Sequence, residues 1–256
     1  MILVIGIFLS VLFLAGLGIL GASLYMRLRA NHFIFNPHLS KDVGIPDGFR
    51  QEFFSVKEHT IESWLFTHPT SDYIALYIHG NRGRIPDMLD YLSRHLSVYA
   101  PTFPGFHQSS DTPLSEEIIQ DIVQESLNQV KAQGYPSEKI LIFGYSLGGT
   151  LATYLASQDS GLYKLMTLNS PSSIWSMCKR QYGPICILGR DLYRGDIYAR
   201  QVTIPTEVYH AQDDDFVPPE ESRILEKAFV QTQVIRTEIP QSTHSDIDYS
   251  YLNLPS

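Results

Sequence analysis

The sequence is poor in features that would each point to a particular class of protein. Only 18% of its 256 residues are charged, and the net charge is -8. No cluster of Lys and Arg is present, and binding to a polyphosphate requires one, so the composition argues against nucleic acid as a partner. The chain also has no internal repeat, low-complexity tract or Pro/Gly/Ser-rich linker. We therefore expect one globular core rather than several.

Cysteine is also scarce. Cys178 and Cys186 are the only two, and their spacing fits neither a C-x-x-C redox pair nor a zinc site. We interpret them as ordinary small apolar residues; a disulfide between them would require an oxidising compartment, and two cysteines do not decide whether they pair. The sequence implies no metal and no cofactor.

Residues 1–26 contain no Asp, Glu, Lys, Arg or His and are mainly aliphatic residues, Phe, Gly and Ala. A helix of this length rises about 1.5 Å per residue and exceeds the roughly 30 Å hydrocarbon core of a bilayer. We therefore predict a single-pass transmembrane anchor whose partner is the lipid bilayer. A cleavable signal peptide fits less well, since the apolar run is long and lacks a basic segment before it. A buried hairpin is the other alternative.

The basic residues Arg27 and Arg29 follow this segment directly, and no basic residue precedes it. By the positive-inside rule, this pattern predicts that the folded domain lies on the cytoplasmic side of the membrane. We interpret residues 27–48 as a juxtamembrane connector and residues 49–256 as the folded domain.

Beyond residue 48, strand patterns alternate with helix patterns. Several of the strands are continuous apolar runs, which are typical of strands buried on both faces of a parallel sheet. The strands are expected at 49–56, 61–67, 73–79, 97–103, 140–143, 162–168, 202–210 and 233–239, and helices at 85–96, from 115, from 147 and at 218–229. This alternation predicts a three-layer α/β sandwich with a mostly parallel sheet.

A G-x-S-x-G pattern occupies residues 144–148, between a predicted strand and a predicted helix. A serine on such a sharp turn is the arrangement of a nucleophile elbow. The glycines on either side of Ser146 allow two backbone segments to pass closely. The string alone would occur by chance in roughly a tenth of chains of this length. The strand and the helix around it therefore carry the prediction.

A serine nucleophile needs an imidazole to take its proton and a carboxylate to orient that imidazole. In sheets of this type the chain order is Ser, acid, His. That order favours His244 as the base, because His210 precedes the acidic loop. The acid is expected among residues 213–215, three consecutive aspartates after a predicted strand. The pattern does not choose among them, and a solvated turn or a weak cation site is the alternative for this triplet.

Residues 50–250 resemble the α/β-hydrolase family, and within it the membrane-anchored lysophospholipase, acyl-thioesterase and serine aminopeptidase-like branch. The resemblance rests on H-G-N-R-G, G-Y-S-L-G-G and H-A-Q-D-D-D-F-V-P in chain order, followed by the late His244. The acid loop of this branch implies Asp214 as the acid, with Asp213 as the second choice. The family's second glycine in that loop is Ala211 here, a mild departure.

The resemblance also implies an oxyanion hole and a cap. An oxyanion hole needs two N–H groups aimed at the developing negative oxygen, and the family's turns imply those of Asn81 and Leu147. The family's insertion implies a cap over residues 171–201. Its apolar and cationic side chains either contact an acyl chain or only pack the cap on the sheet.

We therefore expect a membrane-anchored serine hydrolase that cleaves carboxylic ester or thioester bonds of lipid-like or acylated substrates through an acyl-enzyme. The expected catalytic residues are Ser146, Asp214 and His244. A peptidase or amidase of the same fold and a non-catalytic membrane scaffold are the alternatives. The pattern predicts no oligomeric state and no individual substrate-binding residue.

Overall fold

The computed structural model describes residues 2–30, 34–35, 44–83, 86–110, 115–189 and 192–255. Four predictions fall partly outside the described residues: the first residue of the anchor, much of the connector at 27–48, the start of the helix at 85, and residues 190–191 of the cap.

Helix α1 spans Ile2–Leu28 and is strongly apolar. Within the described part of the chain, it is the one helix long and apolar enough to cross a membrane, over Ile5–Leu28, and its sides are exposed in the structure. A signal sequence passes the same test of length and composition. The structure therefore establishes an apolar helix that could serve as an anchor.

Eight strands form a single sheet. They are β1 Arg50–Val56, β2 His59–Phe66, β3 Ile74–Ile78, β4 Ser97–Pro101, β5 Ile140–Tyr145, β6 Lys164–Leu168, β7 Thr206–Ala211 and β8 Val234–Ile239. Their order is β1-β2-β4-β3-β5-β6-β7-β8. The β1–β2 and β2–β4 pairs are antiparallel, and the other pairs are parallel. All eight predicted strands are present. Strand β7 begins later than predicted. A 3-10 turn at Ala199–Gln201 comes first, and Pro205, directly before the strand, has no backbone N–H to donate to a neighbouring strand.

Helices cover both faces of this sheet. They are α2 Pro86–Ser93, α3 Glu116–Ala132, α4 Leu147–Gln158, α5 Ile174–Tyr182, α6 Gly195–Tyr198 and α7 Glu220–Ala228. Strand β3 shows how the layers divide. Ile74, Leu76 and Ile78 pack in one core with α3, α4 and α7, whereas Ala75 and Tyr77 pack in a second core with α2. Because both faces of β3 are buried, its sequence is continuously apolar. The predicted three-layer α/β sandwich is confirmed.

The backbones of β3, β5 and α4 meet with almost no space between them. A Cβ added at Gly148 would lie 2.0 Å from the carbonyl oxygen of Ile78 and 2.6 Å from that of His79. A Cβ added at Gly144 would lie 2.5 Å from the carbonyl oxygen of Gly148. Both glycines of the G-x-S-x-G pattern are therefore required by backbone contact, which side-chain repacking cannot relieve.

We predict that Gly148→Ala destabilises the protein by about 1–3 kcal/mol or more, because the new methyl group forces two backbones apart. Chemical denaturation of the detergent-solubilised protein measures the change. Gly44→Ala is the control, since a Cβ there meets no atom within 4 Å. Equal stabilities for the two variants would contradict the close approach of β3 and α4.

Candidate active site

Ser146 occupies the turn between β5 and α4, with φ 53° and ψ -126°. A non-glycine residue persists at positive φ only where its surroundings hold it there. Two backbone hydrogen bonds do so: the N–H of Ser146 donates to the Leu168 carbonyl at 2.8 Å, and its carbonyl accepts from the Gly149 N–H at 2.9 Å. The side chain borders a cavity of about 530 Å³. The strand, turn and helix predicted around Ser146 are present.

His244 and Asp214 are in direct contact. Nδ1 of His244 lies 2.8 Å from Oδ2 of Asp214. The Asp214 side chain is fully buried, and that of His244 is 14% exposed. Asp213 and Asp215 are exposed on either side. Of the three consecutive aspartates, the structure thus brings Asp214 alone to the imidazole.

The Asp214 carboxylate is oriented by its own loop. Oδ1 accepts hydrogen bonds from the N–H groups of Phe216 at 2.9 Å and Val217 at 2.7 Å. This leaves Oδ2 directed at His244. Two backbone donors stabilise the charged form of a buried carboxylate, which would otherwise pay a large desolvation penalty.

His210 also approaches this carboxylate, with Nε2 3.5 Å from Oδ2 of Asp214. The same Nε2 lies 2.8 Å from the Val217 carbonyl oxygen. Burial lowers the pKa of His210 below its ordinary value, so the ring is neutral at pH 7, and a proton on Nε2 donates to that carbonyl. His210 therefore packs beneath the acid as a neutral group, whereas His244 retains some exposure.

Two residues that the sequence analysis missed hold the loop that carries His244. The Tyr145 hydroxyl donates to the His244 carbonyl at 2.5 Å, and burial raises the pKa of Tyr145 far above its ordinary value, so the phenol remains a donor. Nδ2 of Asn169 donates to the same carbonyl at 3.1 Å, while its Oδ1 accepts from the Ala211 N–H at 2.7 Å. Asn169 thus links the loop after β8 to β7.

A sequence signal for Asn169 existed. It follows β6 directly, at the edge of the sheet where sites of this fold class lie. Its φ is 51°, and Asn is one of the few residues that adopt positive φ readily. An asparagine at a strand end is therefore a candidate for a backbone-linking role.

Ser146 and His244, the predicted nucleophile and base, are linked through a neighbouring residue rather than by a hydrogen bond. In the described residues, no hydrogen bond joins Ser146 Oγ to His244. The residue before the serine supplies the link, because the Tyr145 ring centroid lies 5.3 Å from that of His244. Hydrogen bonds between a nucleophile and its base are often long before substrate binds. The structure thus joins Asp214 to His244 and places Tyr145, the residue before the serine, against the imidazole.

The two residues predicted for the oxyanion hole border the same cavity as Ser146. Leu147 is the first residue of α4, so its N–H has no partner within the helix and lies at the positive end of the helix dipole. Asn81 lies in the turn bridged by Gly80 and Gly83. A Cβ on Gly80 would lie 3.0 Å from Cβ of Ser146, so this turn packs against the serine. The role of both amides stays a prediction.

Among the described residues, no group of three or more His, Cys, Asp or Glu side chains is placed to hold a metal ion. The aspartate triplet does not form such a site, since the Asp214 carboxylate is engaged with backbone N–H groups and with His244.

The predicted cap at 171–201 contains α5, a 3-10 segment at Gly183–Gly189, and α6. Cys178 and Cys186 are joined by a disulfide with a Cα–Cα distance of 5.8 Å, within the usual range. The sequence did not decide whether these cysteines pair, and the structure shows them as a disulfide rather than as two separate apolar side chains. None of the α5 side chains is fully buried, and Ile174, Trp175 and Met177 border the cavity. This placement favours contact with a ligand over simple packing on the sheet.

Comparison with known proteins agrees with this architecture. Residues 76–196 match a family model described as the alpha/beta hydrolase fold. The alpha/beta hydrolase domain-containing protein aho-3 of Caenorhabditis elegans is 26% identical over 195 residues, which cover 70% of this chain and 54% of aho-3. The chain thus spans about half the length of that relative.

Solved structures share the fold at low sequence identity. The esterase domain of a Rhodothermus marinus protein is 15% identical, with a TM-score of 0.60 over 79% of this chain and 92% of that domain. A puromycin-hydrolyzing peptidase of Mycobacterium tuberculosis is 16% identical, with a TM-score of 0.62 over 77% of this chain and 36% of the peptidase. The chain has the α/β-hydrolase fold, and this fold indicates a hydrolase.

Proposed function

We propose that this protein is a serine hydrolase that cleaves carboxylic ester or thioester bonds of lipid-like or acylated substrates through an acyl-enzyme. The observation that carries the proposal is the buried Asp214–His244 contact beside a serine held at positive φ. Structural strain of this kind is retained where the surrounding fold over-determines it, and such positions cluster at functional sites.

In the proposed reaction, Ser146 Oγ attacks the carbonyl carbon, and its proton passes to Nε2 of His244. The Asp214 carboxylate accepts from Nδ1–H and stabilises the imidazolium. The N–H groups of Asn81 and Leu147 hold the negative oxygen of the tetrahedral intermediate. The intermediate collapses to an acyl-enzyme as His244 protonates the leaving alcohol or thiol. Water, deprotonated by His244, then releases the acid and restores the serine.

The lining of the cavity supports an acyl substrate over a peptide. Its walls are mostly apolar, which suits an acyl chain better than a polar peptide backbone. Of the described residues that border the cavity, Arg27, Arg180 and Asp215 are the charged ones, and both arginines have partners. Nη1 of Arg27 donates to the Leu188 carbonyl at 2.6 Å, and Arg180 lies 3.8 Å from the buried Glu221 carboxylate. The structural neighbours include both an esterase domain and a peptidase and do not distinguish the two substrate classes. The apolar lining of the cavity is what favours an acyl substrate.

We predict that a fluorophosphonate probe labels the protein and that Ser146→Ala abolishes the labelling, because the probe reacts only with an activated serine. Ser157→Ala, on α4 away from the turn, is the matched control and should label like the wild type. Labelling that persists in Ser146→Ala would refute the nucleophile. A wild-type chain that neither labels nor hydrolyses short p-nitrophenyl esters would support the non-catalytic scaffold.

We predict that Asp214→Asn lowers kcat on a short p-nitrophenyl ester by about 10³–10⁴-fold, because an amide favours the wrong imidazole tautomer. Asp213→Asn tests the neighbouring carboxylate, which is exposed, and should leave kcat close to that of the wild type. Thermal denaturation of both variants checks that they fold. A larger loss in Asp213→Asn would reverse the assignment of the acid.

We propose that α1 is a membrane anchor and that the domain lies on the cytoplasmic side, since Arg27 and Arg29 follow the apolar helix. The disulfide between Cys178 and Cys186 is the opposing observation, because disulfides persist mainly in oxidising compartments. In the reducing cytoplasm, Cys178 and Cys186 would be two neighbouring free thiols instead of a disulfide.

Sealed vesicles of known orientation test this placement. With the cytoplasmic face outward, we expect added protease to degrade the domain, and a maleimide to label Cys178 and Cys186 without prior reduction. A domain that is protected from protease, and whose cysteines react only after reduction and detergent, would place it on the opposite side.

A further inference from the structure

The last turns of α1 form one wall of the cavity that contains Ser146. Ser23, Met26 and Arg27 border the cavity, and Met26 and Arg27, three and four residues after Ser23, lie on the same face of the helix. Ser23 is 1% exposed, whereas Leu28, off this face, is 74% exposed. The apolar helix is therefore part of the site.

The cap is bonded to this same part of α1. The Leu188 carbonyl accepts from Nη1 of Arg27 at 2.6 Å, and the Leu188 N–H donates to Oγ of Ser23 at 3.0 Å. Both backbone polar groups of Leu188 are thus satisfied by the helix. Non-helical backbone is tolerated at membrane depth only where its polar groups find such partners.

The position of this contact along α1 places it at the edge of a bilayer. Ser23 lies within about 8 Å of the helix end at a rise of about 1.5 Å per residue, which corresponds to the boundary between hydrocarbon and head groups. The cap segment Gly183–Gly189 carries no charged side chain, and its Ile187 is 53% exposed. An exposed apolar side chain at that depth faces lipid rather than water.

From this juxtaposition we infer that the cavity is an acyl-chain site that opens to the bilayer beside α1. The ligand is the acyl chain of a membrane amphiphile, which enters from the leaflet, lies between Met26 and the cap, and presents its ester or thioester carbonyl to Ser146. The inference rests on the proposed function and specifies where its substrate comes from. The cavity of about 530 Å³ is of the size of small-molecule sites, roughly 300–1,000 Å³.

The first test places a larger side chain on the face of α1 that borders the cavity. We expect Met26→Trp in the full-length chain, reconstituted in vesicles, to lower the ratio of p-nitrophenyl palmitate to p-nitrophenyl butyrate hydrolysis at least tenfold. The indole shortens the space for a long chain more than that for a short one. Leu28→Trp is the matched control, with the same substitution on an exposed position of the same helix, and should keep the wild-type ratio. An unchanged ratio in Met26→Trp, or an equal change in both variants, would overturn the inference.

The second test asks whether the acyl substrate enters the cavity from the membrane or from water. A long-chain fluorogenic ester is placed either in the vesicles that hold the protein or in separate vesicles. We expect hydrolysis at least tenfold faster when the ester and the protein share a bilayer. Equal rates would mean that monomers enter from water, which would overturn entry from the leaflet.

Failure of the inference and failure of the proposed function give different results. If the proposed function is wrong, the wild type hydrolyses neither ester, and Ser146→Ala changes nothing. If only the inference is wrong, both esters are hydrolysed in a Ser146-dependent way, with a ratio that does not respond to Met26.

Discussion

The close contact between the backbones of β3 and α4 is the constraint on which the site depends. At Gly148 there is no room for a side chain, because the carbonyl oxygen of Ile78 occupies that position. This approach brings the first turn of α4 against the loop that follows β3. As a result, the amide of Leu147 and the turn at Asn81 lie on the walls of one cavity with Ser146. A looser packing would separate the nucleophile from the second amide.

The topology of the sheet then supplies the remaining groups. Parallel strands β5, β6 and β7 end at the same edge, and the residues that follow them are Ser146, Asn169 and the Asp214 loop. His244 follows β8 at that edge, and the imidazole is held by contacts from several strands rather than from its own loop alone. Tyr145 and Asn169 both donate to its backbone carbonyl. If His244 is the base, as proposed, a position fixed from outside its own loop leaves it little freedom to lose when substrate binds, and such preorganisation favours catalysis.

The sequence predicts the fold well because its signals are local. Strands β3 and β5 are buried on both faces, so their apolar runs are read directly from the sequence, and Gly144 and Gly148 mark the elbow. The choice of Asp214 needed the resemblance to a family, since three identical side chains in a row carry no pattern of their own. Asn169 was missed because its partners, the carbonyl of His244 and the amide of Ala211, are distant in sequence and show no periodicity.

The contact between the cap and α1 could not be predicted either, because its partners are even farther apart in the sequence. Arg27 and Leu188 are 161 positions apart, and neither residue type predicts a particular hydrogen-bond partner. The cap pattern of apolar and cationic side chains left packing and ligand contact equally open. The structure favours ligand contact because the apolar helix that would hold the protein at a bilayer also walls the cavity. In the inferred arrangement, access to the cavity depends on location, because an opening beside α1 faces lipid when the helix is in a bilayer and water when it is not.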